Sequence, residues 1–245
     1  MKTTLTYKRG IKDGLPIGLG YFAVSFAFGV SVVSQGLEKL LAVMMSALNL
    51  TSAGQFAGAS VIISAGALIG IGTFLEIALT QLVINARYFL MSITLSQRLT
   101  GKWRLVDRLL CSFGITDEIF AVAVSQKDGV NKNYFLGLML LPFIGWTMGT
   151  FLGAFAGDVL PEIITKSLTI ALYAMFIAIV IPAGMNDSKI FIVMGISVAL
   201  SCVFYYLPML NGISEGFAYI ICAVVASVVG AIFFPIKERE EMLDE

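Results

Sequence analysis

The sequence predicts an all-α polytopic membrane protein of about seven transmembrane helices, some of them broken or re-entrant. Two observations carry that prediction. The 245-residue chain is 58% hydrophobic and only 13% charged, with a mean hydropathy of +0.91, whereas a soluble domain has about 25% charged residues. The stretches 14–37, 40–75, 133–157, 167–186, 190–214 and 216–236 also hold no Asp, Glu, Lys or Arg. Each reaches the ~20 residues that an α-helix needs to cross the hydrocarbon core.

The charge balance removes several functional classes. Lys plus Arg is 16 and Asp plus Glu is 16, so no net field draws the chain to nucleic acid. There is no His, the commonest metal ligand and proton shuttle. Cys111, Cys202 and Cys222 are odd in number and far apart, which fits neither a disulfide framework nor a zinc spacing. No metal and no cofactor are expected, and the partner common to every span is the lipid bilayer.

Residues 1–13 carry Lys2, Lys8, Arg9 and Lys12 against Asp13 and read as a cytoplasmic N-terminal segment. The run that follows is too long for the ~7–15-residue apolar core of a signal peptide, so it reads as a retained first helix. Residues 14–236 form a single transmembrane domain, and 237–245 are a charged C-terminal tail. Arg98, Lys102, Arg104 and Arg108 form a second basic cluster. If both clusters are cytoplasmic, the chain crosses an even number of times between them, so 40–97 crosses a net odd number. Either 40–70 enters and returns as a pair of short helices before 73–96 crosses, or there are three separate crossings. The shortness of 40–50 favours the first arrangement. Whether 109–125 crosses or dips in and out stays open, and with it the side of the C-terminus.

Leu15-Pro16 and Leu141-Pro142 each open a Gly-rich span followed by a linker and another apolar run. This suggests a diverged internal repeat, 14–72 with 140–183, of the kind found in transporters. The plainer explanation is that Pro and Gly are common in membrane helices.

Three places put chemistry inside apolar sequence. In Ser52–Ser60, two glycines and small residues permit a break around Gly54, Gln55 and Phe56. A helix restarted there offers free N–H groups to an anion; the bland alternative is close packing through small residues. In 76–88, Glu76, Thr80 and Arg87 share a helical face, with Gln81 and Asn85 on the adjacent stripe. Glu76 and Arg87 are about 16 Å apart along a helix, too far to pair, so each needs another partner. Interface placement and snorkelling are the alternative, and the midway position of Arg87 argues against it. In Gly114–Glu118, two adjacent carboxylates sit between apolar runs. Thr116 or Asp117 can cap a helix through 118–125, yet a cap leaves one carboxylate over. Asp117, Glu118 and Glu76 are the candidates for proton coupling, and Asp117 or Glu118 for holding an amine. Together the three places permit a zwitterionic amino-acid ligand without selecting one.

Pro16 with Gly18 and Phe28-Gly29, then Ala53-Gly54-Gln55-Phe56, Asn85-Ala86-Arg87-Tyr88 and Thr116-Asp117-Glu118 resemble the large permease subunit of AzlC-type branched-chain amino-acid exporters. The resemblance covers most of 10–125. That family usually has Asn-Leu-Arg-His where this chain has Asn85-Ala86-Arg87-Tyr88, so no titrating imidazole stands there. The resemblance implies a multi-pass permease of the bacterial cytoplasmic (inner) membrane that exports leucine, isoleucine, valine or similar small apolar amino acids. It also implies a small AzlD-like membrane subunit as partner and no enzymatic activity. Bacterial efflux in general suggests proton antiport. On this reading Gly54, Gln55 and Phe56 with Arg87 hold the carboxylate, Asn85 orients the ligand, and Asp117 or Glu118 holds the ammonium. The alternatives are a passive channel for small solutes and an intramembrane enzyme acting on lipid-linked substrates.

Overall fold

The computed structural model describes residues 5–66, 68–126, 129–156, 188–207 and 212–234, with isolated residues 163, 167, 181, 185 and 210. Among them, regular structure is helical apart from one isolated bridge between Leu99 and Val130. The helices are α1 (Tyr7–Ser34), α2 (Lys39–Leu48), α3 (Ser52–Ala65), α4 (Ile71–Ser96), α5 (Leu105–Phe113), α6 (Asp117–Val124), α7 (Lys132–Ala156), α8 (Ser188–Tyr206) and α9 (Glu215–Phe233). Five of these, α1, α4, α7, α8 and α9, are long and apolar enough to span a membrane. Apart from those isolated residues, the predicted span 167–186 and the second half of the suggested repeat from residue 157 onward lie outside the described residues, as does the charged tail.

The long helices α1 and α7 form the backbone of the fold, and glycine makes their contact possible. A Cβ on Gly10, Gly14, Gly18 or Gly29 would collide with α7 main chain. One on Gly137, Gly145, Gly149 or Gly153 would collide with α1. In lipid no hydrophobic force pulls helices together, so close backbone approach through small residues supplies the attraction. Pro142 lies inside α7 and removes the hydrogen bond that Leu138 O would accept. That freed carbonyl lies against Gly14.

The register rises together along both helices: Gly10 meets Tyr134, Gly18 meets Leu141 and Gly29 meets Thr150. The two helices are therefore parallel and begin on the same face. The side chain of Asn131 donates to Leu5 O at 2.7 Å, and Tyr134 Oη donates to Asp13 at 2.9 Å. The excess of Lys and Arg in the N-terminal segment leads to the expectation that this face is cytoplasmic, and it takes that label.

This resolves the parity that the sequence leaves open. The end of α4 pairs with the start of α7, through Thr100 N to Val130 O and Val130 N to Arg98 O, both at 2.8 Å. Hence α4 descends to the cytoplasmic face, and everything between α4 and α7 enters and returns on that face. Helix α5 runs inward beside α7, with Asp107 at Lys132 and Gly114 against Met139. Helix α6 returns, placing Ala123 in one buried cluster with Leu95 and Val130.

The pair α2–α3 enters from the opposite face. Helix α1 ends in a Schellman motif, with Gly36 N bonded to Val33 O, Leu37 N to Val32 O, and Gly36 at φ +97°. Only glycine takes that conformation without strain. The chain then turns inward along α7, reverses over Asn49–Thr51, and climbs back along α4. The paired short helices over 40–70 are thus as expected. Finally, Gly216 at the start of α9 meets Glu76 near the start of α4, so α9 descends and Phe233 emerges on the cytoplasmic face.

Candidate functional site

The tips of the two re-entrant hairpins meet inside the protein. Leu50 and Ser52 from one tip, and Thr116, Asp117 and Glu118 from the other, line a recess with Tyr21, Tyr88 and Trp146. Its free volume is about 10 Å³, which is room for about one water. Tyr21, Ser52, Glu118 and Trp146 also line an adjoining chamber of about 300 Å³, completed by Pro16, Ile17, Gly20 and Val24. That chamber is mostly apolar and lies toward the cytoplasmic half of α1.

Two helix N-termini aim into the recess. The first intrahelical bond of α3 is Gln55 N to Thr51 O at 2.9 Å, which leaves the N–H groups of Ser52, Ala53 and Gly54 ahead of it. Thr51, at the N-cap, does not cap them. Its hydroxyl is committed elsewhere, donating to Asn85 Oδ1 at 2.8 Å and accepting from Tyr88 Oη at 3.2 Å. Helix α6 is capped by Thr116, which accepts from Ile119 N, and Asp117 and Glu118 occupy its first turn. A helix N-terminus favours carboxylates there, which lowers the cost of keeping two charges at this depth.

The carboxylates take different partners, as the ~100° turn between neighbouring helical residues dictates. Asp117 Oδ2 pairs with Arg87 Nη1 at 2.8 Å. Glu118 accepts from Tyr21 Oη, which also lies 2.7 Å from Thr116 Oγ1. The partner that Arg87 required is therefore Asp117, thirty residues along the chain on another hairpin and beyond any local pattern. The Arg87 guanidinium also lies over the Tyr88 ring, 5.2 Å from its centroid.

The other expected site residues are placed as follows. Gly54 O accepts from Gln81 Nε2 at 2.6 Å, and a Cβ at Gly54 would strike the side chains of Gln81, Thr51 and Asn85. Asn85 ties this together, accepting from Thr51 and donating to Gln81 Oε1 at 2.9 Å. Gln55 is fully buried; its amide donates to Ser46 Oγ and accepts from Trp146 Nε1 at 2.8 Å. Ser46 in turn lies 2.6 Å from Thr150 Oγ1. The Gln55 side chain thus fastens the α2–α3 hairpin to α7 and does not point into the recess. Phe56 packs edge-on against Phe28 with centroids 4.7 Å apart, on the far side of α3. Glu76 is remote from the recess and accepts from Gly216 N at 2.9 Å, capping the start of α9.

Sequence reasoning did not single out Tyr21, Thr51, Thr116 as a ligand-facing group, or Trp146. An aromatic hydroxyl in an apolar helix is a weak signal, because its partner lies 95 residues away.

The AzlC family ("AzlC protein") matches residues 16–160. The inner membrane protein YgaZ of Escherichia coli (strain K12) is 31% identical over 157 residues, covering 62% of each chain. The branched-chain amino acid transport protein AzlC of Bacillus subtilis (strain 168) is 26% identical over 178 residues, covering 71% of this chain and 66% of that one. An uncharacterized membrane protein of Archaeoglobus fulgidus is 28% identical, covering 72% of this chain and 75% of its own. This chain therefore spans less than two thirds of the length of YgaZ. No solved structure matches the chain. The family match covers more than half of the 245 residues, and with its several long apolar helices this chain is a multi-pass membrane protein belonging to the AzlC family.

Proposed function

We propose that this chain is a secondary transporter that exports branched-chain or similar small apolar amino acids from the cytoplasm. The observation that carries this reading is the junction of a polar recess with an apolar chamber. The recess joins the uncapped N-terminus of α3 to the carboxylates of α6, and the chamber of about 300 Å³ opens beside it. A zwitterion matches that layout. Its carboxylate would accept the N–H groups of Ser52, Ala53 and Gly54. Its ammonium would face Glu118 or Asp117, and its side chain would fill the space among Ile17, Val24 and Trp146.

The recess holds only about one water in this arrangement, so a ligand enters only when a hairpin moves. Asp117 would then exchange Arg87 for the ligand ammonium, leaving Arg87 to the ligand carboxylate. That exchange of ion-pair partners gives a route to coupling, because a proton on Asp117 also releases Arg87. Proton antiport is the coupling we propose, with Asp117 and Glu118 as its carriers. The B. subtilis relative, named for branched-chain amino acid transport, supports the ligand class, and a small AzlD-like membrane subunit is the proposed partner.

Counterflow in proteoliposomes tests this. Vesicles loaded with unlabelled leucine, with and without the small subunit, should accumulate external labelled leucine saturably, and isoleucine and valine should suppress the signal. Label that equilibrates without overshoot would favour the channel. A flat trace with folded protein would remove leucine and its analogues as substrates.

A further inference from the structure

The two re-entrant hairpins are built alike, and the likeness extends to the helices before them. Helix α1 carries Tyr21-Phe22-Ala23-Val24-Ser25, and α4 carries Tyr88-Phe89-Leu90-Met91-Ser92. Each long helix is followed by a short helix, a three-residue reversal and a second short helix. The reversals are Asn49-Leu50-Thr51 and Gly114-Ile115-Thr116. In each, the middle residue is apolar and buried, and the last is the threonine N-cap of the second short helix. Because α1 rises and α4 descends, the two units enter the membrane from opposite faces.

The hydrogen bonds between the units are reciprocal. Tyr21 of the first unit meets Thr116 of the second at 2.7 Å, and Tyr88 of the second donates to Thr51 of the first at 3.2 Å. Such an exchange, in which residue i meets j and the counterpart of i meets the counterpart of j, is the signature of a two-fold relation. Chance placement of the same tyrosine and the same capping threonine in both units would not also cross-pair them.

A second cavity lies across α3 from the cytoplasmic chamber. It holds about 340 Å³ and is lined by Ser31, Val32, Phe56, Ser60, Ile84 and Tyr219, among others. Along α1, Ile17 of one cavity and Val32 of the other are about 22 Å apart at 1.5 Å per residue. Consecutive residues divide the two spaces, since Ser52 lines the cytoplasmic chamber and Ala53 the extracytoplasmic cavity. The first turn of α3 is therefore the partition.

We propose that α1–α3 and α4–α6 are an inverted-topology repeat, and that its two exchanged Tyr–Thr bonds are the latches of two gates. Tyr21–Thr116 fastens the cytoplasmic hairpin to α1, and Tyr88–Thr51 fastens the extracytoplasmic hairpin to α4. Releasing the first opens the site toward the cytoplasm, and releasing the second opens it outward. In an inverted repeat the two movements are the same movement performed by opposite halves, which is how such a fold reaches both sides with one site. The inference rests on the carrier reading only for what crosses.

Thiol labelling tests it without any substrate. Cys111, Cys202 and Cys222 are first replaced by Ala. Val24→Cys then reports the cytoplasmic chamber, and Ser60→Cys reports the extracytoplasmic cavity. A membrane-impermeant thiol reagent is added from one face at a time to oriented proteoliposomes. Tyr21→Phe removes the bonds to both Thr116 and the Glu118 carboxylate and should speed labelling at Val24→Cys from the cytoplasmic face by about tenfold or more, without speeding Ser60→Cys. Tyr88→Phe should do the reverse, speeding only Ser60→Cys from outside. Thr116→Val and Thr51→Val should move the same two probes, Thr116→Val less than Tyr21→Phe because the Tyr21–Glu118 bond stays, and Thr51→Val more than Tyr88→Phe because its bond to Asn85 goes too, while Thr116→Ser should resemble the parent. Acceleration at both probes in either variant, or at neither, would overturn the paired gates. Mirror-image labelling together with absent leucine counterflow would keep the gates and discard the substrate.

Discussion

Gly18 and Gly20 lie two residues apart on α1 and differ in what surrounds them. A Cβ on Gly18 would sit 2.7 Å from Leu141 O and 2.8 Å from Leu141 C, both rigid backbone atoms, whereas one on Gly20 meets nothing within 4 Å. Ordinary contacts begin at 3.4 Å, so Gly18→Ala pushes α1 and α7 apart by about 0.7 Å, the difference between those distances. Overpacking of that kind costs about 1–3 kcal/mol. Gly20→Ala instead gains up to about 1 kcal/mol, because alanine restricts the unfolded chain and favours helix. The two variants should differ by about 1–4 kcal/mol, roughly fivefold or more in the unfolding equilibrium, in detergent-solubilised protein titrated with SDS. Equal stability of the two would refute the claim that glycine-mediated backbone contact holds α1 to α7.

Four further outcomes are expected. Gln55→Leu keeps the volume but strips Trp146 Nε1 of its buried acceptor, and should cost about 1–3 kcal/mol in the same unfolding titration. Asp117→Asn breaks a half-exposed ion pair worth at most ~1 kcal/mol to stability, so thermal unfolding should barely move while leucine counterflow is lost; retained counterflow would take Asp117 out of the mechanism. Glu76→Ala should destabilise by about 0.5–1.5 kcal/mol, since α9 loses an acceptor for its first turn, and Glu76→Gln should be milder because an amide oxygen remains. If Glu76→Gln also leaves proton-coupled leucine transport intact, Glu76 is a cap and not a coupling residue. Asp107 accepts the Arg104 N–H at 3.0 Å and sits 3.3 Å from Lys132 Nζ. The N–H bond first, and the lysine second, hold its carboxyl below the usual carboxylate range. A carboxyl with a depressed folded-state pKa stabilises the fold above the unfolded value, near 3.9, and loses that as pH falls through the lower folded value. Hydrogen-exchange protection at the start of α5 should therefore hold from neutral pH to about 5 and drop only below about 4, and Asp107→Asn should abolish the step.

The candidate site was legible in its parts and illegible in its connections. Thr116 announces itself as a cap because a hydroxyl stands before two acids and an apolar run, and the Gly-rich stretch at Ser52 announces a restart. Charge at Arg87 and Asp117 is conspicuous because apolar surroundings make it costly. None of these signals says that Arg87 reaches Asp117, or that Tyr21 reaches Thr116, because those bonds join separate helices. Gln55 shows the hazard of the same logic. An amide in an uncharged run looks like a ligand group, yet here both its polar ends are spent on Ser46 and Trp146.

From the sequence alone come the membrane class, the long spans and the short paired helices over 40–70. Each follows from transfer free energy and charge, which act locally along the chain. The parity of 109–125, the descent of α9, and the meeting of the two hairpin tips were decided only by tertiary structure. An apolar run of eight or nine residues satisfies the same local energetics whether it goes on across the bilayer or turns back. It turns back here because the glycine seam sets α1 and α7 parallel, and parallel helices must start from the same face.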